Sequence, residues 1–364
     1  MRIIQTADIT DKTTWHIPTT AAALCTFESP EDVIDFARQN ILSHYPKFYV
    51  IGGGANSFFA TKHYDGIVIE VAFKGKEKIK ETESTESWKI MAGEDWIDLV
   101  TFCADNNLGG IENLALIPGR VGAAPIQNIA AYGRAFEEVC ESVTYTDLRT
   151  GVTETLSVAE CKFGYRTSIF KERIQNDAAA LIIHDVVITL TKPGHHHFDM
   201  SYFSLSEKLS DTVGASTESK TIQDVYSAVI KIRESKLPDH KLIGTNGSTF
   251  VNPIVTGEKV LELKKKYPRL QHYPTVKMQY TQAQDPNAID PAGQYKIAAG
   301  HIFDMLGWKG RRIGRAGTWE KHALVVCSFG ATDPSEIETV IRAMQNDFFV
   351  ATGIHLQPEI NIVE

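Results

Sequence analysis

The first residues able to do chemistry are Gly52, Gly53, Gly54, Ala55, Asn56 and Ser57, directly after the apolar run Phe48-Tyr49-Val50-Ile51. Without a Cβ the chain can turn sharply and lie against a ligand. Successive backbone N–H groups then converge on an anion such as a pyrophosphate. The spacing is not the G-x-G-x-x-G dinucleotide fingerprint. Ser57 stands where the third glycine belongs, and Phe58-Phe59-Ala60 does not open a helix. A tight turn with no ligand fits the same spacing. The stretch from Ile117 to Asn128 is dense in small residues and prolines. Pro118, Gly119, Gly122 and Ala123 let backbone wrap closely around a flat or extended ligand, with the amides of Gln127 and Asn128 as polar contacts. A buried, well-packed loop is the alternative.

Single residues add weaker signals. Arg166, after Tyr165, offers a planar and permanently charged fork for a carboxylate or phosphate, although a lone arginine is ordinarily a surface residue. Ser248 lies in the turn-forming run Asn246 to Pro253. Phe250 replaces the second glycine of a nucleophile elbow, so Ser248 presents a hydroxyl to a ligand or is a plain turn serine. His195-His196-His197 sits in a polar stretch without an acidic partner motif and reads as a solvated loop rather than a metal site. Arg311, Arg312 and Arg315 read as a solvated face, and Lys264 to Lys266 as an exposed helix surface. No GxxxxGK[ST] occurs, so P-loop nucleotide chemistry has no support.

These residues need elements to hold them. Ser29 with Pro30, Glu31 and Asp32 opens a helix carrying Val33, Ile34, Phe36, Ala37 and Ile41 at helical spacing. Residues 48–51, 66–71 and 88–91 read as strands, with a helix over 96–106. Short strands recur at 142–148, 152–156 and 180–189, and a helix at 222–236 ends before Leu237-Pro238. Beyond it the pattern predicts strands at 244–252, 323–328 and 354–363, the last interrupted at Pro358. It also predicts helices at 257–267, 298–306 and 333–348. This alternation favours a mixed α+β protein over a doubly wound one.

The 364 residues suit two or three domains, and we place a boundary after Lys236. A net charge of −8 argues against a nucleic-acid partner, so any anionic ligand needs a local basic site. Cys25, Cys103, Cys140, Cys161 and Cys327 are odd in number and form no CxxC pair, which argues against a disulfide framework and a zinc site. The opening MRIIQTADITDKTTW has no apolar core of a signal peptide, and no apolar run is long enough to span a membrane. A cytoplasmic location without membrane insertion is expected.

Together, VIGGGANSFF, ENLALIPGRVGAAPIQNIAAYG, CKFGYRTSIF, KLPD, GSTFVNP, KIAAGHIFDMLGWKG, HALVV and LQPEI resemble the UDP-N-acetylenolpyruvoylglucosamine reductase family, in family order. The combination of PIQNIAAYG, FGYR and GSTFVNP carries the specificity. The resemblance implies an α+β protein with a vanillyl-alcohol-oxidase-type (PCMH-type) FAD-binding fold of two lobes plus a C-terminal substrate domain. The division it implies is 1–72 for the first lobe, with 353–364 returning to it, 73–236 for the second, and 237–352 for the substrate domain.

It further implies non-covalent FAD, held by Gly52 to Ser57, Pro118, Gly119, Gly122, Ala123, Gln127, Asn128 and Tyr132. NADPH is the implied hydride donor. The implied reaction converts UDP-N-acetylglucosamine enolpyruvate to UDP-N-acetylmuramate for peptidoglycan precursor synthesis. By this match Ser248 donates a proton, Arg166 stabilises developing carboxylate charge, and Glu359 assists as a protonated acid. Tyr165, Lys236 and Asn252 match substrate-pocket residues. The longer segment before Lys296 leaves Tyr280 as the residue expected on the uracil side. The stretch from Lys171 to Leu205 resembles the insertion of a longer subtype, with Tyr202 as its closing tyrosine. Two departures stand out: Thr13-Thr14-Trp15 near the N-terminus, and His322 where the family has glutamine. The expected partners are the UDP-sugar and NADPH, with no metal and a monomeric chain. The competing readings are another FAD oxidoreductase of the same fold and a nucleotide-sugar-binding protein without catalysis.

Overall fold

Ser29 caps its helix as the sequence predicts. Its hydroxyl accepts from the Asp32 N–H at 3.3 Å, and the Asp32 carboxylate accepts from the Ser29 N–H at 3.2 Å, closing a capping box on Pro30–Arg38. The helix stops short of Ile41 because Asn40 takes a left-handed conformation, φ 50°. The structure is a computed structural model that describes residues 1–198, 205, 209, 221–275 and 289–364. It divides into two units. The first comprises Met1–Ala7, Ala21–Gly53 and Asp65–Arg233; the second comprises Asp8–Thr20, Gly54–Tyr64 and Glu234–Glu364.

The first unit holds two sheets. One orders its strands Arg2–Asp8, Thr20–Phe27, His63–Val71 and Phe48–Ile51, the last two running parallel. The other is antiparallel and ordered Val152–Ser157, Cys140–Asp147, Leu181–Thr191, Thr85–Met91 and Lys76–Glu81. Its centre, Leu181–Thr191, is nearly continuous apolar sequence and is buried along most of its length. Its edge, Lys76–Glu81, is exposed at every position. Charged residues there keep a free strand edge from pairing with another chain, and they also hide the strand from any apolar pattern. The core around Phe27, Phe36, Trp96, Phe136, Tyr145 and Phe170 joins both sheets to the helix Trp96–Asp105.

The second unit is α+β. Its main sheet runs Gly244–Ser248, His322–Ser328, Ala316–Trp319 and Arg312–Ile313. A smaller one runs Ile254–Thr256, Gln294–Ile297 and His272–Pro274, and Asn361–Val363 pairs in parallel with Ser57–Phe59. The strand expected to reach residue 252 ends at Ser248. Its register against His322–Ser328 shifts between Thr245 and Ser248, and Gly247 has φ 72°. The closing strand is similarly short, and Pro358 makes only an isolated bridge with Phe250. The helix Pro334–Thr352 begins at an Asp333/Glu336 capping box and ends at Gly353, φ 71°. Trp15, Phe58, Phe250, Phe303, Trp308 and Phe348 fill this unit's own core.

Candidate functional site

In the first unit the glycine turn and the small-residue loop lie backbone against backbone. A Cβ on Gly53 would stand 2.8 Å from the Gly119 Cα, closer than side chains ever approach. A Cβ on Gly122 would meet that of Ala92 at 2.6 Å. Gly119 has φ 138°, and nothing comes within 4 Å of where its Cβ would be. The loop therefore packs one face tightly and leaves backbone open at Gly119, the geometry a closely approaching dinucleotide requires. The FAD implied by the sequence fits these residues.

Asn128 is fully buried with φ 49°. Its Nδ2 donates to the Gly164 carbonyl at 3.2 Å, and its Oδ1 accepts from the Glu137 N–H at 3.0 Å. Both polar atoms are thus engaged inside the protein, and Asn128 acts here by fixing the turn that bears Tyr165 and Arg166. That turn is closed by Gly164 and Thr167, each donating its N–H to the other's carbonyl at 3.0 and 3.3 Å. Arg166 has φ 55°, and Lys171 Nζ donates to its carbonyl at 2.9 Å. Ser168 caps the helix Ile169–Gln175 and also donates its hydroxyl to the Ile126 carbonyl at 2.6 Å. The two stretches are stitched together.

Tyr132 also has positive φ, 50°, with its carbonyl accepting from Asn113 Nδ2 at 2.8 Å. Burial pushes its phenol above the ordinary value, opposed by its bond to Arg233. Sequence reasoning missed Asn113 and Ser168, which position these turns.

In the second unit Ser248 ends the strand Gly244–Ser248, and Glu359 lies in the bend before Asn361–Val363. Ser248 stands opposite Val325, and the Glu359 N–H donates to the carbonyl of Thr249, the residue after Ser248, at 2.8 Å. Asn56 Nδ2 donates to the Glu359 carbonyl at 3.2 Å, and the Asn361 N–H donates to the Asn56 carbonyl at 2.9 Å. Asn56, expected on the cofactor, thus also fixes the segment carrying Glu359. Asn246 Nδ2 bridges Thr14 Oγ1 and the Gly54 carbonyl at 3.0 and 3.1 Å, tying the departing Thr14 segment to the glycine turn. Asn252 Oδ1 accepts from the Ala299 N–H at 3.0 Å, capping the helix Ala299–Met305 from a distance.

His322 accepts at Nδ1 from the Leu324 N–H at 3.2 Å, so its neutral form carries the proton on Nε2. Burial, and then the charge of Lys236, hold it below the ordinary value. His196 of the triplet is half-buried, not fully solvated, with Nδ1 against Thr191 Oγ1 at 2.8 Å. No cluster of three or more metal-ligating side chains occurs among the described residues. Tyr202 and Tyr280 lie outside the described residues. No helix among the described residues is long and apolar enough to cross a membrane.

With this geometry in view, the family comparisons become informative. A model for the FAD-binding domain matches residues 21–157, and one for the C-terminal domain of UDP-N-acetylenolpyruvoylglucosamine reductase matches 238–363. The chain is 34% identical over 363 residues to the UDP-N-acetylenolpyruvoylglucosamine reductase of Flavobacterium johnsoniae, covering 100% of both chains. It is 35% identical to that of Burkholderia ambifaria, covering 87% of this chain and 84% of the other. The crystal structure of the reductase from Thermus caldophilus superposes with a TM-score of 0.65 at 19% identity, covering 100% of this chain and 98% of that one, and shares the fold. Fold and family model together define a flavoprotein with an FAD-binding domain. The chain belongs to the UDP-N-acetylenolpyruvoylglucosamine reductase family.

Proposed function

We propose that this chain reduces the enolpyruvyl double bond of UDP-N-acetylglucosamine enolpyruvate with electrons from NADPH, yielding UDP-N-acetylmuramate. FAD, when bound, supplies the hydride relay between NADPH and the terminal alkene carbon. The chain's own residues do the rest. Hydride arrival drives negative charge onto the substrate carboxylate, which calls for fixed cationic and hydrogen-bonding groups. Arg166 takes that charge with its planar fork, and Glu359 in its protonated form donates a hydrogen bond. Ser248 gives its hydroxyl proton to the adjacent carbon and is reprotonated from solvent. Lys236 and His322 bind the anionic substrate, and Tyr165 is a further substrate-binding residue. Asn252 keeps its amide N–H₂ for the ligand because its oxygen is committed to the Ala299 N–H.

The observation that supports this reading is the 2.8 Å bond from the Glu359 N–H to the Thr249 carbonyl, which ties the bend carrying the acid to the residue after Ser248. Non-covalent flavin is supported by the sequence of both FAD loops, which contain no histidine or cysteine for attachment. The enzyme is a cytoplasmic monomer in this reading. The test is anaerobic and in two steps: NADPH should bleach the bound flavin, and the enolpyruvyl substrate should restore its oxidised spectrum. Bleaching without restoration would leave another flavin oxidoreductase of this fold. A colourless protein that binds only the UDP-sugar would leave a binding module.

A further inference from the structure

We propose that Arg120 is a binding residue for the cofactor's diphosphate, a role that rests on the FAD reading above. Arg120 follows Gly119 and heads the short 3₁₀ turn Val121–Ala123. Its Cβ and Cγ lie 3.7 and 3.9 Å from where Gly52 would carry a Cβ, so its stem runs along the glycine turn. Among the described residues its guanidinium has no partner within hydrogen-bond distance. The nearest acid is Asp95, and the pair is long, 3.9 Å, with the two side chains 30% and 33% exposed.

Asp95 also serves a helix. Its Oδ1 accepts from the N–H groups of Ile97 and Asp98 at 2.9 and 3.3 Å, capping Trp96–Asp105, while Oδ2 is the atom that faces Arg120. Several cations of this unit sit on closer acids, Lys76 on Glu94 at 3.1 Å, Lys192 on Glu81 at 2.7 Å and Arg134 on Glu138 at 2.7 Å, whereas Arg173 is as loosely paired with Glu154, at 4.0 Å. Arg120 is therefore a guanidinium with five donors, a loose partner and a stem in van der Waals reach of the glycine turn. A protein of net charge −8 needs a local cation to hold a diphosphate. A guanidinium suits phosphate oxygens by its bidentate fork.

The test uses the full-chain holoenzyme. FAD release on dilution is followed by the rise in flavin fluorescence, at low and high salt, in wild type, Arg120→Met and Arg120→Lys. Methionine keeps the aliphatic stem along Gly52 and removes the charge. The expected result is a dissociation constant raised about 10- to 100-fold in Arg120→Met, with Arg120→Lys between the two. The salt dependence of release should flatten in Arg120→Met. Riboflavin, which has no diphosphate, is then titrated into the flavin-stripped proteins and should bind all three equally. Equal FAD affinity in wild type and Arg120→Met overturns the proposal, as does a loss equal for FAD and riboflavin, which would mark Arg120 as packing. A wild type that binds no flavin at all would overturn the functional reading instead.

Discussion

The two units shape their candidate residues by opposite means. In the first, five non-glycine residues around the FAD loops have left-handed backbone: Leu116, Asn128, Tyr132, Lys162 and Arg166, with φ between 47° and 60°. In the second, among the described residues, His16 alone does so. There Ser248 and His322 ride on strands, while Glu359 and Asn252 are fixed by a ladder bond and a helix cap. The physical difference is what each unit offers a ligand. A surface that presents backbone N–H groups must bend the chain into uncommon conformations, each costing on the order of 1–3 kcal/mol, and must hold them with buried bonds. A surface that presents side chains needs only a sheet to aim them. Asn128, Asn113 and Lys171 supply the holding bonds in the first unit. In the second unit the comparable bonds, from Asn56, Asn246 and Asn252, fix chain segments and a helix end rather than left-handed turns.

The sharpest way to break this comparison is Ser248→Ala. If the second unit contributes side chains rather than backbone, removing one oxygen should leave fold, flavin content and bleaching by NADPH unchanged. Single-turnover reoxidation by substrate should slow roughly 10²–10⁴-fold. Ser248→Cys should recover part of the rate. A wild-type reoxidation rate in Ser248→Ala would remove Ser248 from the mechanism and leave Glu359 or water as the acid.

A smaller effect tests the other side. Asn128→Ala deletes two buried bonds and leaves a residue with a Cβ at φ 49°. Destabilisation of about 2–4 kcal/mol is expected in denaturant melts. Asn128→Gly loses the same bonds but tolerates the backbone, so it should be about 1 kcal/mol less damaging than alanine. Equal losses would show that backbone strain is not what Asn128 resists.

The same contrast explains what the sequence made legible. Phe48–Ile51 and Ile222–Lys236 were read to the residue because an apolar run and a helical period mark them, and the proline after Leu237 stops the helix. Lys76–Glu81 and Arg2–Asp8 were not read: as sheet edges they bury little, and their side chains carry no alternation. The glycine loops were legible as places of close approach. The role proposed for Arg120 was not, because it depends on how far Asp95 lies from it, which is a fact of three dimensions. The helix Ile169–Gln175 was missed for a related reason: its cap, Ser168, was not recognised among the residues following FGYR.

The smallest expected effect concerns His322 and Lys236. Burial is the larger cause of the depressed imidazole pKa, and the Lys236 charge the next; Asp304 opposes them and Lys309 adds to them. The neutral ring accepts from the Leu324 N–H through Nδ1, and protonation there would break that bond. A histidine depressed below 6.5 in the folded state contributes stability that is present above that value and is lost as pH falls. In Lys236→Met one repulsive charge disappears while burial remains. The His322 ring proton signal in NMR should then titrate at higher pH than in wild type but still below the ordinary value. The melting temperature of the variant should accordingly fall less steeply on acidification from about pH 7 to about pH 5. An unchanged titration would mean that the two side chains do not sense each other, and that the second unit does not gather its cations on one ligand surface. A full return to the ordinary value would make charge, rather than burial, the dominant cause. In either case, if Lys236 binds the substrate as proposed, Lys236→Met should bind the UDP-sugar more weakly in the oxidised enzyme without changing the rate of bleaching by NADPH, because the flavin loops are untouched.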